Sequence, residues 1–252
     1  MMVKKWNWIV LALLSVLFLS WSMRVTQFDW SALLDIEKSW NFLKTKWFPP
    51  DWSVLPLAFK NTGITLAIAF LGTFLAVIAA IPVSFLAAYN TSPKGLYHLI
   101  RSILTFIRTI PEIVLGLIFI ATFGLGPFPA VIAIMVHNIG VLGKLISELV
   151  ESSDRGPVEA ITSVGAKKTI IALYGILPQI LPNILSHYFY RFEVAIRTSL
   201  ILGLIGGGGL GNMLFIDYKI FNYTAVTAEV VVFMVLVFLV DYLSTFVRKK
   251  VI

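Results

Sequence analysis

The chain of 252 residues contains no cysteine. That absence excludes disulfide staples, thiolate catalysis and cysteine-ligated metals together, and it carries no information about the redox compartment. Charge is scarce too, at 13% Asp, Glu, Lys and Arg, where a soluble domain carries about 25%. A surface so poor in charge implies that lipid covers much of it. Also missing is a basic patch interleaved with aromatics. The formal net charge of +7 comes from lysines and arginines at segment ends and in short loops, which reads as membrane topology and not as a nucleic-acid footprint. What fills the sequence instead is apolar: 58% hydrophobic residues and a mean hydropathy of +0.90. The expected fold is all-α, a polytopic membrane protein.

A helix needs about 20 predominantly apolar residues to cross about 30 Å of hydrocarbon. Six stretches qualify, at residues 6–23, 57–89, 99–123, 128–150, 176–205 and 225–247. The first follows Lys4 and Lys5 and is framed by Trp6, Trp8 and Trp21, as interfacial aromatics would be. A cleaved signal peptide is the alternative there. The apolar run exceeds a signal core, and Trp21, Met23 and Arg24 stand where a small-x-small site would be, which favours a retained anchor. Between it and the second span lies a polar, tryptophan-rich segment ending at Pro49 and Pro50, expected outside the membrane and partly as an interfacial helix. This divides the chain into residues 1–56, an N-terminal span with its external segment, and residues 57–252, a helical core.

Lysine and arginine favour the cytoplasmic side of a membrane. With Lys4 and Lys5 inside, six crossings return Arg248, Lys249 and Lys250 inside, along with Lys94, Arg101, Arg155, Lys167 and Lys168. Both termini are therefore expected in the cytoplasm, in a bacterial inner or cell membrane. The lysines of the first external segment run against the rule, diluted there by acidic neighbours.

One polar interval, residues 151–169, is more informative than the spans around it. Pro157 suits a first helical turn, Glu159 the positive end of a helix and Gly165 a break, with Lys167 and Lys168 beyond. A short amphipathic helix results, too small to bury its own apolar side. It docks on a partner or lies on the membrane, and the pattern alone leaves both open.

The spacing Glu159-Ala160, Gly165, then Leu177-Pro178 resembles the EAA signature of binding-protein-dependent ABC importer permeases, departing from it at Ile161 and Gly175. The segments Arg108-Thr-Ile-Pro-Glu112, Gly124-Leu-Gly-Pro127, His137-Asn-Ile-Gly-Val-Leu-Gly-Lys144, Tyr174-Gly-Ile-Leu-Pro-Gln179, Tyr190-Arg-Phe-Glu193 with Arg197, and Gly206 to Gly211 are together similar to the phosphonate branch of that family. The resemblance implies a type I, MetI-like permease core whose loop around Glu159, Ala160, Gly165, Lys167, Leu177 and Pro178 couples to a cytoplasmic ATPase. It further implies a dimer with a second permease chain, identical or not, two ATPase subunits carrying ATP and Mg, and an extracytoplasmic substrate-binding protein. The cargo it implies is phosphonate or a related small oxyanion such as phosphate or phosphite.

Ionisable residues within spans cost about 3 kcal/mol each and therefore mark structure or function. Arg191, Glu193 and Arg197 fall in the fifth span. Glu193 and Arg197 share a helical face and are expected to pair, while Arg191 points elsewhere. A gate or scaffold competes with direct passage of an oxyanion, whose oxygens a guanidinium fork matches. Arg108 and Glu112 form a second i,i+4 pair around Pro111, read as a neutralised kink. His137 and Asn138 lie mid-span, where an interhelical hydrogen bond is the commoner use. With His98 and His187 remote from His137, no metal site is expected.

The run Gly206, Gly207, Gly208, Gly209, Leu210, Gly211 contains G-x-G-x-x-G but follows an apolar helix and opens no βαβ unit, so a dinucleotide site fails on context. These glycines are expected to end the fifth span and form a flexible gate near the external mouth. No Walker lysine follows them, so ATP hydrolysis belongs to another subunit and the chain is a transport component, not an enzyme. An ion-coupled secondary transporter using Glu193 is the alternative. An intramembrane enzyme would need a nucleophile with its base, and neither is assembled.

Overall fold

The computed structural model describes residues 2–31 and 35–251. These are helical where regular, with no strand among the described residues, and the chain divides into two compact units, Met1–Phe48 and Pro49–Ile252. The first holds α1 (Met2–Val25), 24 residues and so about 36 Å long at 1.5 Å per residue, and α2 (Ile36–Lys46). Glu37 in the first turn of α2 and Lys44 and Lys46 in its last complement the helix dipole, and none of its residues is buried.

The second unit begins with a short 3₁₀ turn at Trp52–Val54, capped by Asp51 accepting from the Ser53 amide at 2.9 Å. Then follow α3 (Leu55–Leu86), α4 (Lys94–Thr109), α5 (Glu112–Phe123), α6 (Pro127–Glu151), α7 (Arg155–Ser163), α8 (Leu177–Leu202), α9 (Gly209–Lys219) and α10 (Tyr223–Val251). A helical turn at Lys168–Ile170 and a π-helical stretch at Ile171–Ile176 lead into α8.

Small residues on α3 let it and α6 close on each other. Ala69, Ala76 and Ala80 are fully buried, and a Cβ added to Gly72 would stand 2.8 Å from Ile134 Cγ2. Such close backbone approach is how helices associate where lipid is as apolar as leucine. Three apolar clusters fill the interior of this unit, around Ile68, Ile134, Ile196 and Leu202, around Leu142, Ile146, Ile180 and Ile184, and around Ala58, Leu210, Met213 and Val232.

Among the described residues four helical stretches are long and apolar enough to cross a membrane: Trp52–Leu86, Pro127–Glu151, Lys168–Gly207 and Tyr223–Lys250. The expected span at residues 99–123 is not one helix. It is α4 and α5, bent by 87°, because Pro111 has no amide proton and forces Ile110 into extended backbone at ψ 121°. Counted as one broken span, the pair gives five in this unit, and with α1 the total is compatible with six.

Candidate functional site

Glu112 opens α5 directly after the break, and its carboxylate is the hub of a polar cluster. Arg191 of α8 donates from Nη2 to Glu112 Oε1 at 2.9 Å and from Nε to Asn138 Oδ1 at 2.8 Å. Thr198, two turns further along α8, donates its hydroxyl to Glu112 Oε2. His137 of α6 places Nε2 3.5 Å from Glu112 Oε1 and Nδ1 3.1 Å from the Ile110 carbonyl. A carbonyl only accepts, so Nδ1 carries the proton. Asn138 is fully buried and donates to Thr73 Oγ1 at 3.4 Å. Four helices are thus tied at the bend, with the peptide that Pro111 frees capped by His137.

Two expected pairings are replaced. Arg108 and Glu112 stand on different helices across the bend, so the i,i+4 geometry does not exist. Glu112 is held by Arg191, and Arg108 is exposed with no ion pair among the described residues. Nor do Glu193 and Arg197 pair with each other. Both face α10, which offers each an opposite charge: Glu193 accepts from Arg248 Nη2 at 2.7 Å, and Arg197 donates to Asp241 Oδ2 at 2.6 Å. Asp241 escaped the sequence reading because it has no opposite charge at i,i+3 or i,i+4 spacing in its otherwise apolar stretch. So did Glu229, twelve residues earlier in the same span, which is fully buried near Asp217 of α9 with neither carboxylate oxygen hydrogen-bonded.

The glycine run leaves α8 through an irregular turn and starts α9. Gly206 and Gly208 have φ of 104° and 80°, backbone that side chains rarely adopt. The Gly206 carbonyl accepts from the Gly126 amide at 2.9 Å, joining this run to the turn between α5 and α6. Thr65 Oγ1 accepts from the Leu210 amide at 2.9 Å. Gly207, Gly209 and Gly211 are buried in the same junction.

At the far end of α6, Arg101 of α4 donates to Glu151 Oε1 at 2.8 Å, and the Tyr89 amide does so at 3.0 Å. The chain then enters α7, whose N-cap Asp154 accepts from the Gly156 amide. Gln179 fixes the start of this helix: its Oε1 accepts from the Asp154 amide at 2.9 Å, and its Nε2 donates to the Asp154 carbonyl at 3.2 Å and to the Gly175 carbonyl. No residue of α7 is fully buried, and Glu159 and Ala160 point outward. Gly175 lies against α7, where an added Cβ would meet Ile161 Cδ1 at 3.4 Å and Val158 Cα at 3.5 Å, ordinary contact distances. Gly165 ends the segment at φ 75°, Lys167 is exposed, and Leu177 and Pro178 begin α8. Among the described residues no group of three His, Asp or Glu could hold a metal.

Residues 80–252 match the family described as the binding-protein-dependent transport system inner membrane component. The chain is 34% identical over 241 residues to the putative phosphite transport system permease protein HtxC of Stutzerimonas stutzeri, covering 95% of this chain and 84% of that one. It is 41% identical over 121 residues to the putative cryptic phosphonate transport system permease protein PhnE2 of Escherichia coli strain K12, covering 48% of this chain and 99% of that one. Among solved structures, the inward-facing MetNI methionine ABC transporter aligns with a TM-score of 0.70 at 21% identity, over 80% of this chain and 99% of that one, which shows a shared helical fold. The apolar spans and the match from the end of α3 through α10 make this chain a multi-pass member of the binding-protein-dependent transport system inner membrane component family.

Proposed function

We propose that this chain is the permease of an ATP-driven importer for a small phosphorus oxyanion: phosphonate, phosphite or phosphate. The observation that carries the coupling half is α7. It stands between the end of α6 and the start of α8, buries none of its residues fully, and yet is fixed at its N-cap, Asp154, by the side chain of Gln179. A helix held rigidly and left largely uncovered is suited to receive a partner's push. The partner is a cytoplasmic ATPase, two copies of which hold ATP and Mg, and Glu159, Ala160, Gly165 and Lys167 present the contact. A second permease chain completes the pathway, and an extracytoplasmic binding protein delivers cargo at the joined turns of Gly126 and Gly206. Both termini lie in the cytoplasm, in keeping with the lysines and arginines beside Glu151, α7 and the end of α10.

Mechanistically, closure of the ATPases displaces α7, and the displacement passes through Gln179 into α8. The Glu112–Arg191 hub and the α8–α10 ion pairs keep the helices moving as blocks. The oxyanion half rests on the named cargo of the two relatives. The test is uptake of labelled phosphite, phosphate and a simple phosphonate into proteoliposomes holding the full complex. Uptake should require ATP inside and binding protein outside. Uptake driven by a proton or sodium gradient without ATP would overturn the reading.

A further inference from the structure

Helix α4 carries two unlike faces. Leu104 and Ile107 pack into α6, where Cβ atoms added to Gly143 and Gly140 would stand 2.9 Å from Leu104 Cδ2 and Ile107 Cγ2. On the opposite face, His98, Ser102, Thr105 and Thr109 recur at helical spacing and are all exposed, within about 60° of one another at 100° per residue. Arg108 flanks them, exposed and without an ion pair among the described residues. The acids nearest this face, Glu151 and Glu148 of α6, are both engaged by Arg101.

The depth of this face follows from its anchors. Arg101 is tied to Glu151 at the end of α6, whereas Ile107 and Arg108 lie against Gly140, about three turns, or roughly 16 Å, further along that membrane span. Thus α4 runs from the membrane surface to near mid-depth and stops at the Ile110–Pro111 break. Against lipid, the unpaired Arg108 alone would cost about 3 kcal/mol. The face therefore turns to water or to protein. A groove of ≈ 450 Å³ runs along it, lined by His98, Arg101, Ser102, Thr105, Phe106 and Thr109, room for a small anion with several waters at about 30 Å³ each.

The hydroxyl protons of Thr105 and Thr109 are committed to the carbonyls of Arg101 and Phe106 at 2.8 and 2.7 Å. Their outward lone pairs accept from water and so keep the groove wet. The donors lining the groove are Ser102, His98 and the already engaged Arg101, and Arg108 stands outside the lining, exposed beside its deep end.

We infer that the His98–Ser102–Thr105–Thr109 face of α4 is a water-filled wall of the translocation path, and that Arg108 at its deep end is the cation that meets the oxyanion there. The role of Arg108 rests on the oxyanion-importer reading; the wetting of the wall does not. The absence of cysteine from this chain permits a direct test in the complete transporter, with labelling read on the permease band after the subunits are separated. Ser102→Cys, Thr105→Cys and Thr109→Cys, with Phe238→Cys on the exposed side of α10 as control, are treated with a charged, membrane-impermeant thiosulfonate. The three α4 positions should react at least about tenfold faster than the control, because only a wetted thiol ionises. Reaction no faster than at residue 238, or cross-linking of the α4 cysteines into permease dimers without labelling, would overturn the wall. In parallel, Arg108→Gln should cut uptake at low substrate about tenfold, as for one lost charge-assisted contact, and Arg108→Lys should restore most of it. Wild-type uptake by Arg108→Gln would overturn its role. Fast labelling in a complex that moves no phosphorus oxyanion would instead sink the proposed cargo and leave the wall standing.

Discussion

The hub at Glu112 allows a quantitative test of what holds the broken helix in place. Its carboxylate takes a hydrogen bond from Arg191 at 2.9 Å and another from Thr198, and both charged side chains are nearly buried, at 11% and 13% exposure. Removing one member leaves the other charge in a poorly solvated site, which costs about 3–5 kcal/mol, whereas replacing both with uncharged groups of similar volume costs far less. Arg191→Met and Glu112→Gln should each lower the unfolding free energy by several kcal/mol. The double variant should then be more stable than the sum of the two predicts by at least about 1.5 kcal/mol. The assay is reversible unfolding of the purified chain in mixed micelles, read by far-ultraviolet circular dichroism, because all seven tryptophans lie between residues 6 and 52, away from the hub. Additive losses, or single variants as stable as the parent, would refute a coupled hub.

Other consequences follow from particular contacts. Gln179→Leu removes three hydrogen bonds at the foot of α7; it should leave the spans folded while ATPase stimulation by substrate-loaded binding protein falls severalfold, and unchanged stimulation would show that α7 needs no such anchor. Gly203→Ala should destabilise by about 1–3 kcal/mol, because the new Cβ would lie 2.7 Å from the Gly208 carbonyl oxygen and 2.8 Å from Gly211 Cα. Gly63→Ala, with nothing within 4 Å, should be neutral or stabilising, so equal effects at the two sites would contradict the packing. Glu229→Met should be neutral or stabilising, because neither buried carboxylate oxygen is hydrogen-bonded and Asp217 is an acidic neighbour; a marked loss of stability would mean that Glu229 is held by Asp217 or by a partner in the assembly.

The spans were legible because lipid imposes a simple demand, a run of apolar residues long enough to cross. Pro111 also announced a disturbance, yet a kink and an 87° break differ only in how neighbouring helices satisfy the freed backbone, here through His137 and the Ile110 carbonyl. Charge pairing was the least legible layer. Rules of sequence spacing pair residues on one helix, and so they joined Arg108 to Glu112 and Glu193 to Arg197. The chain instead pairs across helices, Arg191 with Glu112 and Glu193 with Arg248, over sequence distances for which spacing has no rule. Asp241 and Glu229 gave a signal that went unused: each is an acid in an apolar span, and each demands an explanation.

The π-helical stretch at Ile171–Ile176 gives the entry to α8 a property of machinery. A π turn stores one residue more than an α turn, so tightening it would drive α8 forward by one residue, a screw of about 100° and 1.5 Å. Such a screw would break the ion pairs of Glu193 and Arg197 with α10 and the bonds of Arg191 and Thr198 to Glu112. Those contacts therefore lock the extra residue in place, and the register of α8 is set as much by its charges as by its backbone.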